Sequence, residues 1–186
     1  MEYHFPVLDQ TLSFDEYQSA ILLQRAQVET LAAGKHILRA QQTPNRIYLL
    51  MRGMVRTYYH HNDKEITSWF YAEQQVFTSW SSFYTQSPTH EYIETLEECE
   101  LYSMDFTTFQ ELMEKDGQFQ KFGRLLAEEQ TTFIDFFYKG YMYMTAKEKL
   151  ELLRTYFPGI ELRVKLSHIS SFLGITPETL SRIRSL

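Results

Sequence analysis

One cysteine, five prolines and seven glycines among 186 residues leave this chain little to cross-link, kink or cradle with. The lone Cys99 excludes an internal disulfide and any multi-cysteine metal or iron–sulfur site within one chain, so a small core residue is its expected role. There is no glycine-rich phosphate loop, no His-x-His pair and no recognisable nucleophile with a base beside it. His60 and His61 are adjacent, so on a strand they face opposite ways and cannot share one metal ion. A metal-dependent enzyme of the cupin kind, which needs ligands converging on one strand face, is therefore disfavoured. No catalytic residue, metal site or cofactor is expected. Long apolar runs are missing too, and none approaches the length of a membrane span. Met1-Glu2-Tyr3-His4 has neither the basic nor the apolar stretch of a signal peptide. A cytoplasmic protein without membrane contact is expected.

Positive charge is the next scarcity. Eighteen Lys and Arg stand against 24 Asp and Glu, a formal net charge of −6. That balance speaks weakly against a nucleic-acid partner, but its distribution points the other way. From Thr145 onward seven basic residues (Lys147, Lys149, Arg154, Arg163, Lys165, Arg182, Arg184) meet four acids (Glu148, Glu151, Glu161, Glu178), giving +3 and leaving −9 for the rest. Screening confines a useful field to roughly 8–10 Å, so a basic end on an acidic body is enough for local phosphate contact.

What is plentiful is ordinary globular material, 44% hydrophobic and 23% charged. Tyr17, Ile21, Leu22, Val28 and Leu31 fall at helical spacings and predict a helix from Phe14 to Leu31. A β-rich region follows. Ile47 to Met51 and Val55 to Tyr59 read as strands with a hairpin turn at Gly53, and Asn62 to Glu65 as a second turn before Ile66 to Tyr71. Further strands are expected over Tyr92–Leu96 and Glu100–Met104, which together suggest a small barrel or sandwich. From Gly117 the period becomes helical. Phe119, Phe122, Leu126, Glu129, Phe133, Phe136, Gly140 and Tyr143 form a heptad-like seam, widened by Phe137, Tyr138 and Tyr141. Such a face must bury, either on its own β-domain or against the same helix of a second subunit. A helix over Ala146–Tyr156 ends at Phe157-Pro158-Gly159, and Ile160–Val164 reads as a short strand.

The most informative stretch is Lys165 to Leu186. Ile169 and Leu173 precede Gly174 by five and one residues; Ile175, Leu180 and Ile183 follow it by one, six and nine. Those offsets place the apolar groups on the touching faces of a helix-turn-helix, with small Ser170 where the helices come closest and Gly174 ending the first in the left-handed conformation. Thr176-Pro177-Glu178 starts the second helix: an N-cap, a proline at N1 and an acid at the positive end. Thr179, Ser181, Arg182 and Ser185 face outward, the short polar and basic surface that a major groove admits.

A β-roll, a long helix and a C-terminal helix-turn-helix resemble, in that order, the catabolite-activator/fumarate-nitrate-regulator (CRP/FNR) superfamily. Leu173 to Ile183 (Leu-Gly-Ile-Thr-Pro-Glu-Thr-Leu-Ser-Arg-Ile) is similar to the family's Gly-x-Ser/Thr-x-Glu-Thr-x-Ser/Gly-Arg signature, and Met51 to Arg56 looks like its β-roll turn. The resemblance implies an α+β chain: an N-terminal antiparallel, jelly-roll-like sensor domain over residues 1–116, a long dimerisation helix over 117–144 and a DNA-binding head over 145–186. It implies a homodimeric transcription regulator on two-fold symmetric double-stranded DNA, and it admits RNA polymerase and a small-molecule effector as further partners. The DNA-facing residues would be Lys165, Ser167, Thr176, Pro177, Glu178, Thr179, Ser181, Arg182 and Ser185, with Glu178 accepting from cytosine and Arg182 donating to guanine. The second helix is expected to be short, since the sequence ends at Leu186.

The departures from the family pattern concern the effector. Its cyclic-nucleotide binders hold ribose and phosphate with a Gly-Glu pair and an Arg-Ser/Thr pair; an ungapped alignment places Thr78-Ser79 and Thr89-His90 there. A buried cyclic phosphate without its arginine would be an unpaired charge, so cyclic AMP is not expected to bind. The lining of Thr78, Ser79, Trp80, Ser81, Ser82, Thr89 and His90 either fills the roll or receives a small aromatic or apolar effector. A competing reading is an interaction module whose helix-turn-helix no longer binds DNA.

Overall fold

The structure, a computed structural model, describes residues 16–184. It is α+β, with an antiparallel β core, a long helix and a set of C-terminal helices. Helix α1 (Glu16–Arg25) leads into the strands β1 (Gln27–Leu31), β2 (His36–Leu38), β3 (Arg46–Arg52), β4 (Val55–His61), β5 (Lys64–Tyr71), β6 (Val76–Phe77), β7 (Tyr92–Thr95) and β8 (Cys99–Asp105). They form two antiparallel four-stranded sheets, ordered β1-β8-β3-β6 and β2-β7-β4-β5. Leu50 and Leu101 of the first sheet bury against Val55 and Ile93 of the second, and Phe77 and Cys99 complete that core. Helix α2 (Trp80–Thr85) bridges β6 and β7.

Three local expectations fail. The residues around Gly53 do not make a hairpin, because β3 pairs with β6 and β8 whereas β4 pairs with β5 and β7. The chain crosses from one sheet to the other there, so that Leu50 and Val55 enter the same inter-sheet core. A turn signal marks a reversal but does not say which strand is the neighbour. Gly53 has φ +105°, and a Cβ on it would stand 2.6 Å from the Cys99 Sγ, so only glycine fits this crossing. The helix expected to Leu31 stops at Arg25: Val28 and Leu31 belong to β1, opposite Tyr102 and Cys99. Phe14 lies outside the described residues. The strand expected over Ile160–Val164 is instead the one-turn helix α6 (Ile160–Arg163). Alternation would have buried Leu162 with Ile160 and Val164; the i, i+4 spacing buries only those two, and Leu162 is 93% exposed. By contrast, β4 and β5 do form a hairpin. Asn62 and Asp63 take φ +48° and +60°, the two left-handed residues of a tight turn, so the strand begins at Lys64.

Helix α3 (Phe106–Lys115), which residue spacing did not announce, starts at Asp105, whose carboxylate accepts from the Thr108 amide. Asp116 then caps the long helix α4 (Gly117–Lys139) by accepting from Gln118 and Phe119. The two helices pack closely, with Met113 filling the space a side chain at Gly123 would need. Phe119, Phe122 and Leu126 bury against Ile47, Leu49 and Met104 of the roll and Phe109 of α3. The N-terminal half of the seam is therefore consumed within the chain, and Phe133 packs on Trp69 with ring centroids 4.4 Å apart. The long helix ends earlier than the expected 144: Gly140 caps it, a 3₁₀ turn covers Tyr141–Tyr143, and Tyr143 is 87% exposed. The side chains of Phe137 and Tyr138 lie outside those described.

The head consists of α5 (Ala146–Tyr156), α6, α7 (Leu166–Leu173) and α8 (Pro177–Arg184). Thr145 and Glu148 form a capping box at the start of α5. Leu150, Leu153, Phe157, Ile160, Ile169, Leu173 and Leu180 make its core, and Met54 and Phe70 of the roll enter the same cluster. Head and roll thus share buried surface.

Candidate nucleic-acid interface

The helix-turn-helix is built from local capping. Gly174 takes φ +69°, and the amides of Gly174 and Ile175 bond back to the carbonyls of Ser171 and Ser170 at 3.2 and 3.0 Å, the Schellman arrangement that ends α7. Two residues later the Thr176 Oγ1 accepts from the Thr179 amide at 3.2 Å, and Pro177 opens α8 without needing a donor. Leu180 buries fully against the Ile169 and Leu173 side of the motif, and Ser170 is buried as expected of the close approach. Thr176, Pro177, Glu178, Ser181 and Arg182 stand exposed on α8 and Thr179 is half-buried. Glu178 and Arg182 lie one turn apart. The backbone amide of Glu178 and the Thr176 hydroxyl hold the Glu178 carboxyl below its ordinary value, so it is an ionised acceptor at neutral pH. Lys165 and Ser167 are exposed at the start of α7, and Ser185 lies outside the described residues.

The basic surplus of the head is smaller in three dimensions than in sequence. Glu161 accepts from Arg154 Nε at 2.9 Å and pairs with Arg184 Nε at 2.7 Å. Arg163 of α6 reaches two acids of the roll, Glu73 and Glu97. The pairings of Arg184 and Arg163 join residues 23 to 90 positions apart, and no local sequence signal announces them. Lys149 lies over the Tyr141 ring at 4.4 Å. Lys147, Lys165 and Arg182 are exposed.

In the roll, two of the aligned positions do meet. The Ser79 and Thr89 hydroxyls are 2.8 Å apart and buried, and Ser79 also donates to the Glu91 carboxylate at 2.8 Å. Thr78 is buried with its hydroxyl on the Arg46 carbonyl, Ser82 is buried and Trp80 half-buried; Ser81 and His90 are exposed. Glu91 was not among the expected lining residues, although its place two residues after Thr89 was the available signal.

Residues 28–116 match the family model of the cyclic nucleotide-binding domain. The architecture extends the likeness beyond that domain. FixK2 from Bradyrhizobium japonicum superposes with TM-score 0.69 at 20% identity, over 86% of this chain and 83% of that one. The chain has a CRP/FNR-like fold. Two further proteins of this fold agree: the Thermus thermophilus catabolite activator protein (TM-score 0.59, 18% identity, 92% and 82% covered) and the c-di-GMP responsive global regulator CLP of Xanthomonas campestris (0.68, 12%, 92% and 90%). Among curated proteins none matches the chain in sequence. At such identities the CRP/FNR-like likeness is one of fold, and the head described above is the part that bears on function.

Proposed function

We propose that this chain is a dimeric, sequence-specific DNA-binding transcription regulator of the CRP/FNR type, acting in the cytoplasm without enzymatic activity. The observation that carries the reading is the exposed start of α8, where Glu178 and Arg182 stand one turn apart on a fully formed helix-turn-helix. A carboxylate and a guanidinium at that spacing match cytosine and guanine edges, while Lys165 and Ser167 suit phosphate contact. Titratable chemistry in the roll argues against cyclic AMP as effector. Where a cyclic phosphate would need an arginine there are two hydroxyls bonded to each other, that of Ser79 also donating to the Glu91 carboxylate. An anion placed there would meet like charge. A small neutral or apolar effector, or none, is consistent with that lining, and RNA polymerase is the further partner that the fold suggests.

Selection of bound sequences from random duplexes at moderate salt tests the reading. A two-fold symmetric motif is the expected result, since a symmetric dimer presents two α8 helices related by its axis. Retention of no duplex above a non-specific background would favour the alternative of a protein-interaction module, which the ion pairing of Arg154, Arg163 and Arg184 supports.

A further inference from the structure

Helix α7, the first helix of the reading motif, lies along an open edge of the roll. Strand β5 ends its sheet in the order β2-β7-β4-β5. The Thr67 amide donates to the Ser171 Oγ of α7 at 3.0 Å, and that hydroxyl donates to the Glu65 carbonyl at 2.8 Å. One serine thus satisfies a donor and an acceptor that an edge strand would otherwise leave to water. Beneath it Arg56 is 2% exposed. Its guanidinium bonds Glu94 at 2.9 Å and Glu65, and it lies over the Tyr58 ring at 4.1 Å. Its Nη1 ends 2.8 Å from the Nδ1 of His168 on α7.

Donor chemistry fixes the state of that contact. A guanidinium carries only donors, so the His168 Nδ1 must accept and the ring proton must sit on Nε2. A protonated imidazole has no lone pair to offer and sets a second cation against a buried one. We propose that His168 and Arg56 form a proton-sensitive latch that holds α7 on the roll while His168 is neutral and releases it when His168 is protonated. The latch goes beyond DNA recognition and does not depend on it.

The groups around His168 act in both directions. Arg56 from β4 and Lys165 from the start of α7 disfavour the imidazolium; Glu94 from β7 and Glu65 from β5 favour it, with His36 beside Glu94 and His60 near Glu65. Burial first, and Arg56 second, hold the docked imidazole below its ordinary 6.5. A released His168 returns to about 6.5. The docked state binds fewer protons than the released one, so the latch is complete above that value. Below it, release is favoured by up to about tenfold per pH unit, until the docked ring itself titrates.

Amide hydrogen exchange of the full chain tests this, read at Thr67 as a protection factor corrected for the intrinsic rate at each pH. Wild-type protection should fall by up to about tenfold from pH 7.5 to 5.5, while the Leu50 amide, bonded to the Gln75 carbonyl within the roll, keeps its protection. His168→Gln, whose amide oxygen can accept without titrating, should hold Thr67 protection level across that range. His168→Lys should show the low value at both pH values. Wild-type protection that does not change with pH would overturn the latch. So would an equal fall in His168→Gln, which would assign the effect to the carboxylates instead.

Discussion

A side chain that reads a base and one that holds a phosphate fail in different ways, and under the proposed function α8 and α7 would each offer one. Arg182→Ala should cost about 1–3 kcal/mol on the preferred duplex and relax discrimination at one base pair per half-site. Lys165→Ala should weaken preferred and scrambled duplexes alike and make the salt dependence shallower by roughly one ion. Titrations at several salt concentrations separate the two, and an equal loss on both duplexes for Arg182→Ala would make it a phosphate contact. Inside the roll the decisive residue is Arg56. Removing it strands Glu94, whose side chain is only 15% exposed, without its guanidinium. Arg56→Ala should therefore cost about 3–5 kcal/mol in urea unfolding, well above the about 0–1 kcal/mol of a surface pair.

At the scale of elements, the long helix decides which test of dimerisation is informative. Phe133 faces Trp69 of its own chain, so Phe133→Glu should destabilise the protomer by about 3 kcal/mol or more and report on folding rather than on assembly. Ile134 is different: it is 64% exposed on α4, with Met142 and Tyr143 also exposed just beyond the helix end. Ile134→Glu should change protomer stability by less than about 0.5 kcal/mol yet yield monomers in sedimentation at micromolar concentration. A variant that remains as dimeric as the wild type would remove this part of α4 from the interface.

Over the whole molecule, acid should weaken the roll, the head and the contact between them in one window. Burial alone would raise the Glu65 and Glu73 carboxyls, but Arg56 and Arg163 hold both below their ordinary 4.5. Arg154, then Arg184, do the same for Glu161 inside the head. Carboxyls with lowered folded values contribute stability that is complete above about 4.5 and lost as pH falls through the folded values. The urea midpoint should accordingly drop below pH 4.5, apart from the change below about 6.5 that the release of His168 begins. Arg163→Ala should shrink the acid-dependent part, because Glu73 then loses its guanidinium partner. Calorimetry with cyclic AMP and cyclic GMP should register no binding at physiological concentration; micromolar affinity would mean that Ser79, Thr89 and Glu91 rearrange around the phosphate.

The sequence by itself determined the features whose physics is local. Offsets around Gly174, the Thr176 cap and Pro177 specified the helix-turn-helix, since capping and i, i+4 burial act within one or two turns. The Asn62-Asp63 turn, the strands that follow it and the long helix were legible for the same reason. Ile160–Val164 and Gln27–Leu31 were misread because five residues cannot separate a two-residue from a 3.6-residue period when apolar groups fit both. Tertiary structure alone decided which strands neighbour one another across Gly53, and it turned half of the aromatic seam inward. It also set Ser79 beside Thr89 and Glu91, spent Arg163 and Arg184 on acids, and brought His168 to Arg56 across 112 positions. Pairings of that kind depend on how sheets and helices pack in space, which residue spacing along the chain does not encode.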